Sequence, residues 1–334
     1  MKKFIDFCKS IIILGIIAFI GFYVSTNMEL PTETANEVNS YSEISEVDVS
    51  GKYYYNQLDE YGKIIYGVIE NNVSNMKSGT YVLNIDNDKI SDKLKAGGQE
   101  EVITAFHSAW NAYAYDCPDT IFWLDINKLN LTIECTKNII YSKYKVKIEP
   151  DESGSYLIDG ITADRIDVMR VQLQNKKKEI IDSLYGTTYD KLKQVHDYIV
   201  KNCEYKEGGT NQYNLYGCLI EGKSVCEGYA EAYKYILDEL GIDCVMVSGT
   251  GINSQNNQEL HVWNYVYFSQ KWYAVDVTWD DPIIIGNSAF ARWDKYDYFM
   301  KGSKEFNKNH FAEKNISEHA IEFEYPELSE SNYR

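Results

Sequence analysis

The stretch that most restricts the fold is Leu260–Trp279, which reads LHVWNYVYF, SQ, KWYAVDVTW. Two runs rich in β-branched and aromatic residues flank a two-residue polar connection, the pattern of a tight β-hairpin. A two-residue turn at Ser269-Gln270 sets the register. Phe268 then opposes Lys271, Trp263 opposes Asp276, and His261 opposes Thr278. Because side chains alternate across a sheet, His261, Trp263, Asp276 and Thr278 share one face. His261 and Asp276 become diagonal neighbours, about 7–8 Å apart at the backbone and within hydrogen-bond reach if their side chains converge. A symmetric four-residue turn keeps this result, and an odd-length turn breaks it.

A histidine and an aspartate on one face need a third group before they suggest chemistry. Cys226 lies in Gly222–Gly228 (GKSVCEG), directly before the apolar-periodic run Tyr229–Leu240 (YAEAYKYILDEL) and its closing Gly241. The pattern predicts a helix that begins at the cysteine. The positive end of a helix dipole favours thiolate, the nucleophilic form of a cysteine. A histidine can take the thiol proton, and a carboxylate behind it orients the ring and stabilises its charge. The spacing alone is also compatible with a buried cysteine and a polar pair on an ordinary hairpin.

Gly222–Ala230 (GKSVCEGYA), Leu260–Asn264 (LHVWN) and Trp272–Asp281 (WYAVDVTWDD) together resemble the transglutaminase-like superfamily, in particular its bacterial extracytoplasmic members. The blocks stand in the family's order and spacing, and the resemblance covers roughly residues 165–312. It implies an α+β fold with a papain-like core, in which a helix bearing the cysteine packs on an antiparallel sheet. It also implies a Cys–His–Asp triad, carried onto Cys226, His261 and Asp276. Residues 51–150, with Asp119 ahead of Phe122-Trp123, are weakly similar to the N-terminal region of some bacterial members. The oxyanion hole is less defined. The Cys226 backbone N–H is a natural donor, and Gln212 and Tyr216 are candidate side-chain donors.

The N-terminal sequence bears on location. Lys2 and Lys3 precede Ile11–Val24, an apolar run of fourteen residues. Read back to Phe4, it reaches spanning length with Asp6 and Lys9 near the cytoplasmic interface. An uncleaved anchor is favoured over a cleaved signal because no clear small-x-small site follows; a buried helix is the third reading. Residues 25–50 are polar and acidic and read as a flexible stalk. Residues 51–150 read as a small α+β domain, with helices over Tyr53–Asn72 and Glu100–Tyr115 and strands at Ile121–Leu124, Leu129–Cys135 and Tyr141–Ile148. Residues 161–334 form the expected catalytic domain, opened by helices over Ile161–Tyr185 and Thr188–Cys203. Cys244–Ser248 reads as a strand and Gly249–Glu259 as a loop.

The net charge of −17 across 334 residues excludes a nucleic-acid partner, since no Lys/Arg stripe is large enough to follow a phosphate backbone. Lys176–Lys178 reads as a solvated helix face. No His/Cys cluster or CxxC pair indicates a metal, and no cofactor motif is present. Asn84, Asp86 and Asp88 lack the glycine and glutamate of a calcium loop and read as a surface turn. The seven cysteines read mostly as free thiols. His107, His196, His310 and His319 read as packed, structural or exposed, and Trp263 and Trp279 as cleft wall or hairpin packing.

Two function classes follow. The first is a thiol enzyme that attacks protein or peptide amides at the cell surface or wall, giving transamidation, deamidation or hydrolysis. The second is a non-catalytic surface module that uses the fold to bind proteins.

Overall fold

The computed structural model describes residues 21–27, 52–137, 142–253, 255–281, 296–317 and 319–334. Most of the expected N-terminal anchor or signal segment and most of the expected stalk lie outside these residues. Gly21–Asn27, the end of the apolar run and the start of the expected stalk, instead form strand β1, because their backbone pairs with residues 130–136. Among the described residues no helix is long and apolar enough to cross a membrane.

Strands β2 (Leu83–Ile85), β3 (Leu129–Lys137) and β4 (Ser142–Pro150) join β1 in a sheet of order β1-β3-β4-β2, with β1 parallel to β3 and the other pairs antiparallel. Helices α1 (Glu60–Met76), α2 (Asp88–Lys95) and α3 (Gln99–Asp116) pack in the same half of the chain. The first helix begins later than its apolar spacing predicts. Asp59 accepts the Gly62 N–H and starts a new helix, and Tyr55–Gln57 form only a 3₁₀ turn. Ile121–Leu124 is not a strand. Pro118 opens a short helix, α4 (Pro118–Ile121), because a proline with no N–H to lose fits the first helical position. Asn87 caps α2, so the Asn84–Asp88 stretch is not the expected surface turn: Asn84 lies in β2, and Asp86 and Asn87 link that strand to the helix start at Asp88.

Helices α5 (Ala163–Ser183) and α6 (Thr188–Asn202) follow, the second opened by a capping box between Thr187 and Asp190. Short strands β5 (Glu204–Tyr205) and β6 (Lys223–Ser224) then lead into helix α7 (Cys226–Glu239). Strands β7 (Cys244–Ile252), β8 (Gln258–Phe268), β9 (Lys271–Val275) and β10 (His310–Ala312) make a wholly antiparallel sheet of order β10-β7-β8-β9. A short helix, α8 (Ser303–Phe306), precedes β10. Strand β7 runs further than expected because Gly249, Thr250 and Gly251 pair with β8 on one side and with β10 on the other. The result is an α+β architecture with the cysteine-bearing helix packed on β7 and β8.

Buried side chains from both halves form one contiguous core. The Tyr54 hydroxyl donates to the Met246 carbonyl of β7, and its ring packs edge-on against Tyr115 and Phe323. The carboxylate of Asp116, at the end of α3, accepts the Tyr54 and Tyr55 N–H groups. Asn214 donates to the Phe122 carbonyl at 2.9 Å, tying the loop before α7 to the N-terminal half.

The start of α7 is set by close backbone approach. A Cβ at Gly228 would lie 2.0 Å from the Ser224 hydroxyl and 2.6 Å from the Asn214 carbonyl. Gly222, at φ +68°, makes the left-handed turn just before. Gly228→Ala is therefore expected to destabilise the fold by about 1–3 kcal/mol through overpacking. A fall in the urea unfolding midpoint would register it; an unchanged midpoint would contradict the close approach.

Candidate active site

The hairpin has the register expected of a two-residue turn. Phe268 pairs with Lys271, and the ladder continues to Asn264 opposite Val275. Ser269 and Gln270 both take positive φ, 50° and 63°, as a turn matching the strand twist requires. Beyond Val275 the predicted strand stops. The Asp276 N–H turns to the Tyr298 carbonyl, and residues 276–281 fold into a turn held by the Trp279 N–H on Asp276 Oδ1 and the Asp281 N–H on Thr278. Thr278 therefore does not reach the position opposite His261.

Asp276 still meets His261. Its Oδ2 lies 2.6 Å from His261 Nε2, and both side chains are buried. With Nε2 engaged, the other nitrogen of the ring remains for Cys226, which lies close enough to the ring to favour its charged form. Cys226, 1 % exposed, is the first residue of α7 and has no side-chain cap before it. Asn264 on β8 donates to the Ala230 carbonyl of α7 at 3.1 Å and holds helix and strand together. The structure thus brings Cys226, His261 and Asp276 into one buried cluster.

Histidine 310 is a fourth member that the sequence reading assigned no part in the site. It is buried, and its Nε2 lies 3.0 Å from the same Asp276 oxygen. Phe306 stacks on its ring at 3.9 Å. It stands on a three-residue strand, too short for any periodic pattern to place it. Trp279 stacks on His261 at 5.1 Å and approaches His310 at 4.4 Å, so it covers the cluster. Trp263 lies near both rings.

The charges follow from these contacts. Burial pulls the His261 ring down, but the Asp276 carboxylate and Cys226 outweigh it and push it up to about 10. Burial opposes ionisation of Asp276, but His261 and then His310 hold it well below the usual carboxylate range. Burial and the neighbouring His261 charge keep His310 below its ordinary value despite its bond to Asp276. The arrangement is a charged imidazolium between a carboxylate and a thiol, with a second, neutral imidazole on the carboxylate. An imidazolium at that position stabilises negative charge on sulfur.

Among the described residues, His261, Asp276 and His310 also have donor atoms within 4.8 Å of one another, a set that would suit a divalent cation. Both Nε2 atoms instead face one carboxylate oxygen at hydrogen-bond distance, and hydrogen bonding uses the lone pairs a cation would need. Of the two candidate oxyanion donors, the Tyr216 hydroxyl is engaged elsewhere, whereas Gln212 is held only through its amide oxygen. Tyr216 donates to Gln172 at 2.7 Å, and Gln212 Oε1 takes the Gly208 N–H. Burial and then Cys226 raise the Tyr205 phenol, and burial, Glu207, Glu227 and then Cys226 raise that of Tyr213. His196 is a buried structural histidine, held between Asp197 at 3.2 Å and Asp280 at 3.0 Å. The Asp281 carboxylate accepts from the Tyr229 hydroxyl at 2.8 Å. All six described cysteines are free.

Residues 176–277 match the family model of the transglutaminase-like superfamily. The mouse protein named kyphoscoliosis peptidase (Mus musculus) is 25% identical over 160 residues, covering 43% of this chain and 24% of that protein. Its human (Homo sapiens) counterpart is 24% identical over 168 residues, covering 45% and 25%. The chain thus spans about a quarter of the length of these curated relatives. A solved structure described as a TGase is 16% identical with a TM-score of 0.32, covering 51% of this chain and 48% of that one. A putative cysteine protease from Cytophaga hutchinsonii is 18% identical with a TM-score of 0.28, covering 43% and 54%.

Two outcomes are expected of the cluster. His261 has a folded value above its unfolded one of about 6.5, so its stabilising contribution is complete below that pH. It is lost as pH rises through about 10. His261→Ala should remove this alkaline contribution, and urea midpoints measured across pH would give parallel curves if the assignment is wrong. His310→Ala strips a donor from a buried carboxylate and is expected to destabilise the fold by about 1.5–3 kcal/mol, read in the same unfolding experiment at neutral pH.

Proposed function

Given that the chain carries a transglutaminase-like domain over residues 176–277, we propose that it is a thiol acyl-transfer enzyme acting on protein or peptide amides, with Cys226 as nucleophile. At the coarser level, membership of this superfamily supports a thiol-dependent enzyme. The observation that carries the finer reading is His261, hydrogen-bonded to Asp276 and close enough to Cys226 for the thiol to favour its charged form, in a buried cluster.

In this reading the Cys226 thiolate attacks a carboxamide carbon. The Cys226 backbone N–H, at the helix start, supports the developing oxyanion. The intermediate collapses as imidazolium His261 passes its proton to the departing nitrogen, leaving a thioester on Cys226 and free ammonia or amine. His261, now neutral, takes a proton from the second nucleophile. A primary amine then yields a new amide, and water yields a carboxylate; either restores the thiol. Asp276 keeps the ring oriented throughout and balances its charge, and His310 and the Trp279 N–H hold Asp276.

Lys2, Lys3 and the apolar residues ahead of strand β1 support an extracytoplasmic body, anchored in the cell membrane or secreted, with surface or wall polypeptides as substrates.

Mass spectrometry of glutamine-containing peptides incubated with the protein, with and without a primary amine, separates the outcomes. Amine adducts mark transamidation, +1 Da glutamines mark deamidation, and cut backbones mark hydrolysis. Cys226→Ala is expected to abolish every product together with iodoacetamide labelling at that position. Product formation undiminished by the substitution would sink the assignment. A wild-type protein that forms no product and labels no faster at Cys226 than at an ordinary thiol would favour a non-catalytic binding module.

A further inference from the structure

A cavity of about 620 Å³ opens beside the nucleophile, between the N-terminal half and the loop before α7. Ile121, Phe122 and Ile126 give it apolar walls, and Glu227 and Glu231, one turn apart on α7, line it as well. Cys226 does not itself line the cavity but directly precedes Glu227. No lysine, arginine or histidine is among the lining residues.

The acidic groups differ in their partners. Asp125 and Asp159, also in the lining, are paired with Lys128 at 3.7 and 2.6 Å. Glu231 accepts the Leu215 N–H at 2.8 Å. Glu227 is only 4 % exposed and faces the cavity, and among the described residues it has no hydrogen-bond or ion-pair partner. A buried carboxyl without a partner is costly unless a ligand supplies one.

We infer that this cavity is a subsite for an alkylammonium group on an apolar stem, carried by a substrate, with Glu227 as its counter-ion. The assignment rests on the reading of Cys226 as an acyl-transfer nucleophile and adds a substrate class to it. The apolar walls suit a methylene stem, and the Glu227 carboxyl suits its charged end. Burial first, then the charge of Glu231, raises the Glu227 carboxyl well above its ordinary range, and burial pushes Glu231 up to about 8. An entering ammonium therefore ionises Glu227 and one proton leaves to solvent, so that charge balances in the filled cavity.

Calorimetric titration of the intact protein with n-pentylammonium, n-pentanol and pentanoate tests the subsite without requiring turnover. Pentylammonium should bind at least about tenfold more tightly than either isostere, the scale of a hydrogen bond to a charged group. Glu227→Gln should erase that preference. Ile158→Trp, which fills the cavity from its partly exposed rim, should weaken pentylammonium binding while leaving the carboxyl in place. Equal binding of pentylammonium and pentanol, no saturable binding, or a preference that survives both substitutions would overturn the assignment.

Glutamine peptides bearing lysine or norleucine beside the glutamine identify the source of the ammonium. A lysine preference in kcat/KM that Glu227→Gln removes places it on the acyl donor. Pentylammonium binding without that preference places it on a second molecule. Pentylammonium binding with no turnover of any peptide would retire the acyl-transfer reading and leave the subsite standing.

Discussion

The buried carboxylate of Asp276 is the group on which the rest of the site depends. One of its oxygens faces both His261 and His310, and the other takes the Trp279 N–H. An ionised carboxylate in a protein interior persists only when its lone pairs are met by donors and its charge by a counter-charge. Here a turn, a strand end and a separate short strand each supply one donor. The same requirement explains why β9 ends at Val275. Continuing the ladder would leave Asp276 facing a strand, whereas the turn over residues 276–281 wraps a backbone donor around it.

Cys226 is placed by a different kind of constraint. On β8, Asn264 reaches the Ala230 carbonyl of α7. The helix start is held mainly by shape: Gly228 lets the first turn press against Ser224 and Asn214, and Val225 donates its N–H to the Gln212 carbonyl at 2.9 Å. A rigid seat of this kind suits a proposed nucleophile, because the thiol must meet the imidazole with little freedom to lose. It also puts Glu227 and Glu231 along the cavity shared with the N-terminal half, so the helix that presents the thiol also lines the inferred subsite.

The N-terminal half does more than precede the site. Tyr54, Asp116 and Phe122 are bonded to β7, to the chain entering α1 and to the loop before α7. Its apolar residues share one core with the antiparallel sheet. Substrate-binding walls can therefore come from residues 118–127 and 158, far in sequence from the proposed chemistry.

Local rules carried the sequence reading where neighbours in space are neighbours along the chain. The hairpin register followed from a two-residue turn and the period of two, which put His261 and Asp276 on one face. The helix behind Cys226 followed from a 3.6-residue period and its flanking glycines. Those same blocks, in order, carried the family resemblance. The sequence could not place His310, which reaches Asp276 from a strand of three residues. Nor could it show that Glu227 lines a cavity whose opposite wall lies a hundred residues earlier. It also extended β9 past its end and read a strand at Ile121–Leu124, because periodicity is blind to a buried carboxylate's need for donors and to a proline that opens a helix. Register and helix faces are properties of a few adjacent dihedral angles and were determined by the chain itself. Which distant groups close around Asp276 and Glu227 was decided only by tertiary packing, since burial and the pairing it demands exist only once the whole core has formed.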